Sequence, residues 1–182
     1  MKKALIIIAF LAAVALGLVL YSGICYSVSV TEREIGPYAM VLKKHIGSYY
    51  KTGSVFEEVG EVLGKKIDIK TLKGAGLYYD DPAKVKEEEL RSECGFIVSS
   101  ADLGKIGALD EGLFVRDFQK KVCATCEFPI KTYLSYMIGP SKVYPVLGEY
   151  LKGKTTDGDF GLEIYDMQEK KIIYCMPIKP EK

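Results

Sequence analysis

Glu163 stands in the run Gly-Leu-Glu-Ile-Tyr-Asp (161–166), two residues before Tyr165. In an extended strand, alternate side chains share a face, so Glu163 and Tyr165 point one way and Leu162 and Ile164 the other. The apolar pair is expected to face the helices and the polar pair to face a cleft. A carboxylate among tyrosines supports two kinds of chemistry. It can attract a cationic ligand, with ring faces adding cation–π attraction, or it can act as a general base if burial raises its pKa. It can also be an exposed strand residue bonded to a neighbouring Lys or Tyr. The upstream run Gly-Leu-Tyr-Tyr-Asp-Asp (76–81) supplies companions: Tyr79 aligns with Tyr165, and Tyr78 or Leu77 falls near Glu163. His45, the only histidine, is a further candidate for the site as a base or pH switch. No nucleophile motif accompanies it, and it also reads as a plain strand residue.

The other polar clusters point to local structure. Asp80-Asp81-Pro82 reads as a turn, because Asp accepts nearby backbone N–H groups and Pro fixes the next φ. Cys123-Ala-Thr-Cys126 has metal or redox spacing, but a zinc site needs four ligands and no second pair follows. The segment also reads as a strand, which sends residues i and i+3 to opposite faces. No metal and no cofactor is expected, and the cysteines at 25, 94, 123, 126 and 175 are either buried thiols or, some of them, disulfide-bonded.

The elements that must position these residues come in two similar sets. Val55, Phe56, Val59, Val62 and Leu63 form an amphipathic stripe over 54–63, opened by a Ser54/Glu57 capping box. Val143, Val146, Leu147, Tyr150 and Leu151 do the same over 141–151, with Pro145 in the first turn. Before each helix lies an alternating segment ending in Ile-Gly, 38–46 and 131–138. After each come two strands, 76–81 with 94–98 and 161–166 with 172–176. The sequence therefore predicts an α+β domain made of a duplicated βαββ unit. Repeat one covers about 36–99, a linker 100–112 and repeat two about 113–178. The two units would join into one curved antiparallel sheet, with two helices on one face and a ligand cleft on the other.

Residues 4–24 are uncharged and almost wholly apolar. At about 1.5 Å per residue they span the roughly 30 Å hydrocarbon layer. No small-x-small cleavage site follows, so 1–27 reads as a single-pass membrane anchor rather than a signal peptide, and 28–182 as the domain. Lys2 and Lys3 precede the span, which by the positive-inside rule puts the domain outside the cytoplasm. A net charge of +1 offers no basic stripe for nucleic acid, so none is expected as a partner.

The runs HIGSYYKTGSVFEEV, GLYYDDP and YPVLGEYLKG…LEIYD…IIYCMPI resemble the GyrI-like small-molecule-binding domain, over about residues 36–178. This is the effector-binding domain of AraC-type and multidrug-responsive MerR-type regulators. With the anchor, the resemblance is nearest to a membrane-anchored, testis-expressed ER-phagy receptor subgroup. It implies a cleft between the halves, an acidic strand residue at Glu163 that binds cationic amphiphiles, and aromatics that include Tyr79 and Tyr165. Some free-standing members hydrolyse cyclopropane-containing compounds with a cleft glutamate and a tyrosine. Three readings follow: a membrane-anchored module for an apolar or cationic small molecule, a hydrolase with Glu163 as base, and a protein adaptor with a vestigial cleft.

Overall fold

The computed structural model describes residues 2–110 and 112–179. Glu111 of the expected linker, Met1 of the anchor and the last domain residues, 180–182, fall outside this range. Helix α1 (Lys2–Val19) continues into a π-helical turn (Leu20–Ile24). Lys2–Ile24 is long and apolar enough to cross a membrane, and none of α1 itself is buried in the domain. Then come β1 (Thr31–Ile35), β2 (Tyr38–Ile46), α2 (Thr52–Gly64), β3 (Lys73–Tyr78), β4 (Arg91–Val98), α3 (Ser100–Ile106), β5 (Leu113–Phe118), β6 (Lys121–Pro129), α4 (Ser135–Tyr150), β7 (Gly161–Asp166) and β8 (Lys171–Pro177).

The strands form one antiparallel sheet in the order β1-β6-β8-β7-β3-β4-β2-β5. Its midline is the β7–β3 seam. On one side lie β3, β4 and β2, and on the other β7, β8 and β6, each set joined through one long helix. The outermost strands are exchanged: β1 pairs with β6, and β5 with β2. The fold is α+β, as the sequence predicts.

Helix α2 packs over β2 and β4, and α4 over β6 and β8. Val55, Val59 and Leu63 of α2 meet Val41, Cys94 and Val98. Val143 and Leu147 of α4 meet Cys126, Phe128, Ile172 and Tyr174. The opposite face of the sheet curls on itself around Met40, Leu42, Ala75, Leu77, Leu162, Ile164 and Cys175. Cys123 joins that inner core and Cys126 the helix side, so this pair does point to opposite faces. All five cysteines are free thiols.

The structure departs from the sequence reading in four places. Residues 131–138 do not form a strand. The strand is β6, ended by Pro129, and α4 has begun by Ser135. Ser135, Gly139, Val143 and Leu147 recur every four residues on the buried side, and this ridge holds the helix although Pro140 and Pro145 each remove a backbone bond. The Ser54/Glu57 box is not made. Helix α2 starts at Thr52, and Ser54 Oγ donates to the Lys51 carbonyl. The segment read as a linker contains α3, capped by Ser99 Oγ accepting from Asp102 N–H at 3.1 Å. Finally, β1 and β5 extend the sheet beyond the strands expected.

In the β2–β4 ladder Leu42 pairs with Gly95, and a Cβ on Gly95 would lie 2.0 Å from the Val41 carbonyl oxygen. Backbone cannot yield as a side chain can, so Gly95→Ala is expected to destabilise the domain by about 3 kcal/mol or more. Gly104→Ala, with open space around it in α3, should be neutral or slightly stabilising. Thermal melts of both variants check this, and equal melting temperatures would contradict the close approach.

Candidate functional site

Glu163 sits midway along β7, at the seam of the sheet. Its neighbours across the ladders are Gly76 on β3 and Tyr174 on β8. Leu162 and Ile164 face the inner core, so Glu163 and Tyr165 face the helices. The expected assignment of faces is thus reversed. Alternation fixes which residues share a face, but not which face the helices cover. Here the curled face builds its own apolar core, and the polar pair lies in the furrow between α2 and α4.

The carboxyl is buried, with 6% of its residue surface exposed. Oε1 accepts from Tyr144 of α4 at 2.6 Å, and Oε2 accepts from Tyr165 at 2.7 Å. The Tyr165 hydroxyl also lies 2.9 Å from that of Tyr78 on β3. Both helices and both central strands therefore contribute to one box. Its walls are rings at near-right angles. Phe56 of α2 meets Tyr165 edge-on with centroids 5.3 Å apart, and Tyr49 meets Tyr78 at 4.9 Å. Tyr136 of α4 tilts against Tyr165 at 6.0 Å. The buried hydroxyl of Tyr174 has no hydrogen-bond partner among the described residues.

Glycines make room for this much aromatic volume. A Cβ at Gly76 would sit 2.9 Å from the Tyr78 hydroxyl, and one at Gly139 would sit 2.3 Å from that of Tyr174. The alternating glycines of Gly74-Ala-Gly76 share the helix-side face of β3 with Tyr78, so the face is cleared where the tyrosines lie.

Burial disfavours the charged form of Glu163 and raises its pKa to about 7, although its bonds to Tyr144 and Tyr165 pull the other way. Burial, together with the nearby Glu163 carboxylate, pushes the hydroxyls of Tyr144 and Tyr165 well above the ordinary tyrosine range. Burial, with smaller contributions from the Glu163 and Glu93 charges, pushes the Cys94 thiol up to about 12, which keeps it protonated and a poor nucleophile. The site can hold or release one proton near neutral pH and can present one carboxylate to a cation between rings.

Of the expected site residues, the structure brings together Glu163, Tyr165 and Tyr78. Tyr79 is on the other face, packed against Phe160 and lying under the Arg91 guanidinium. The register explains this: Gly76, not Leu77, opposes Glu163, so Tyr78 shares its face and Tyr79 cannot. His45 stands at the end of β2, three strands from β7, with Nε2 3.2 Å from the Ser48 carbonyl oxygen. Neither belongs to the site. Asp81 makes the expected turn, accepting from Ala83 N–H, and Asp80 binds Arg91. The sequence reading missed Tyr144, Tyr174, Tyr136 and Phe56. For two of them a signal was present: Phe56 and Tyr144 occupy matching places when 55–63 is laid on 143–151.

No family model matches the chain. It is 29% identical over 168 residues to human testis-expressed protein 264 and to its mouse homolog. The alignment covers 87% of this chain but 50% of the human protein, so the chain spans about half the length of the curated relatives it matches. Among solved structures, the EcmrR C-terminal domain superposes with a TM-score of 0.55 at 12% identity, covering 85% of this chain and 99% of that one. SAV2435 bound to tetraphenylphosphonium superposes with a TM-score of 0.54 at 14% identity, covering 83% of this chain and 94% of that one. At such identities the likeness is one of fold, and the fold is GyrI-like.

The raised pKa carries a stability signature. The stabilisation tied to the protonated carboxyl is complete below about pH 4.5 and is lost as pH rises through about 7, amounting to about 3 kcal/mol when ionisation is complete. Glu163→Gln, which cannot ionise, should therefore gain stability over the parent between pH 5 and pH 8. Tyr144→Phe removes a bond that lowers the pKa and should shift the loss to higher pH. Denaturant melts across this range check both, and a Gln-minus-parent difference that stays flat with pH would contradict the buried titration.

Proposed function

We propose that the chain is a membrane-anchored small-molecule-binding module whose site is the Glu163–tyrosine box and whose ligand is an apolar cation. One observation carries the reading. Glu163 is a buried carboxyl that accepts only tyrosine hydroxyls and makes no ion pair among the described residues. A buried carboxylate is held best by an opposite charge. A hydrophobic cation supplies that charge, loses little hydration on entry and stacks against the faces of Tyr165, Tyr136 and Phe56. These rings fill the furrow, so a ligand enters by turning them aside. The apolar helix Lys2–Ile24 and the GyrI-like fold, which SAV2435 shares in a structure bound to tetraphenylphosphonium, support the same reading. The matching strand order on the two sides of the seam supports origin of the two halves from one duplicated unit.

Tetraphenylphosphonium titrated into the full chain in lipid nanodiscs tests the proposal. A cation favours the ionised carboxyl, so affinity should rise about tenfold from pH 6 to pH 8. Glu163→Gln should bind at least about tenfold more weakly at pH 8 and lose the pH dependence, while Tyr79→Phe should bind like the parent. Mass spectrometry should recover the ligand intact. Equal binding by parent and Glu163→Gln would overturn the assignment.

A further inference from the structure

The apolar helix does not leave the domain through a loose tether. Its terminal π-helical turn is built into the fold: Ser22 is buried, its hydroxyl bonds to that of Thr132, and its carbonyl accepts from Ser135 Oγ at 3.0 Å. Lys142 donates to the Ile24 carbonyl, and Gly23 turns at φ 103° against Phe128, where a Cβ would lie 2.8 Å from the ring. The direction in which the helix leaves is therefore set by the domain. It leaves at the end of the sheet where β6 finishes and α4 starts.

That end differs from its opposite. Around the exit, Tyr133 is 78% exposed, Met137 49% and Met167 53%. They form one neighbourhood, since Tyr136 stacks near Tyr133 and donates to Met167 Sδ at 3.4 Å. Lys131 lies over the exposed Tyr21 ring, 5.4 Å from its centroid. Exposed Lys65, Lys70 and Lys170 stand at the same end, where α2 finishes, β3 begins and β7 turns into β8. The far end carries the β3–β4 connection, where Glu87, Glu88 and Glu89 stand beside Lys84 and Lys86 and where Asp80 and Asp81 are paired with Arg91 and Lys84. Amphipathic rings, methionines and lysines beside an apolar span are the composition of a surface at the headgroup layer of a bilayer. The lysines at this end add attraction to anionic lipid.

We propose that this end of the domain docks on the lipid interface, with the first turn of α4 and the β7–β8 turn seated in the headgroup region. The inference rests on the reading of Lys2–Ile24 as a membrane span. Tyr136 then lies between the docked surface and Tyr165, so the lipid-facing side of the domain is one ring away from the site.

The chain has no tryptophan, so single tryptophans report cleanly. The full chain would carry Leu11→Trp, Tyr133→Trp, Met137→Trp or Tyr50→Trp and be placed in vesicles containing anionic lipid and bromine-labelled acyl chains. Tyr50 is as exposed as Tyr133 but lies at the opposite end of the sheet. Tryptophan at 11, 133 and 137 should be quenched, and tryptophan at 50 should not. Quenching at 11 alone would overturn the docking and leave the anchor standing. No quenching anywhere would overturn the anchor and the docking together. Equal quenching at 50 and 133 would show that no particular end is seated.

Discussion

A carboxyl group buried at the seam of two half-sheets, with no cation to pair it among the described residues, is the constraint around which the domain is arranged. Such a group persists only if hydroxyls reach both oxygens. The hydroxyls must be long, because β7 lies at the midline, and the furrow between α2 and α4 runs above it. Tyrosine alone among hydroxyl side chains has that reach, and it brings apolar ring area with it. The box follows: Tyr144 descends from α4, Tyr165 folds back from β7, and Tyr78 continues the chain of hydroxyls across the seam. The glycines at 76 and 139 follow in turn, since four tyrosines packed in one furrow leave no room for side chains opposite them.

The inner face of the sheet makes this polar arrangement tolerable. Leu162 and Ile164 flank Glu163 along the strand and sit in an apolar cluster with Ala75, Leu77 and Met40, on a face that also holds the Glu93–Arg116 ion pair. Burial there is roughly proportional to apolar area removed from water, and it fixes the register of β7 against β3. A slip of one residue would turn Glu163 into that core. The charged group is thus held in the furrow less by its own bonds than by the cost of any other register.

Much of this was legible in the sequence, and what was not has specific causes. Glu163, Tyr165 and Tyr78 were identified because period-two alternation is a local property. Tyr79 was misassigned because a repeat alignment cannot see register: two adjacent tyrosines offer one to each face, and the pairing of Gly76 with Glu163 decides between them. The covered side of the sheet was misread because alternation fixes which residues share a face but not which face the helices cover. Residues 131–138 were misread because Leu134, Tyr136 and Ile138 alternate as a strand would, while the four-residue ridge that begins at Ser135 shows only once Gly139 is counted as a packing residue. The exchanged strands β1 and β5 carry short, half-polar patterns that tertiary pairing completes.

Helix α4 ties the parts together. Its first residue, Ser135, and Thr132 in the turn before it bond the end of the apolar helix. One turn on, Gly139 admits the Tyr174 hydroxyl. Another turn brings Tyr144 to Glu163. A helix is stiff over this length, so the position of the junction and that of the carboxyl's donor are set together. Pro140 and Pro145 lie between and just beyond these contacts, each removing one backbone bond. The only softening of α4 therefore falls in the stretch that joins the junction to the site, and the packing of Val143 and Leu147 restrains it. Displacement of Tyr144 by a ligand would be opposed by that packing and by the anchored turn at once.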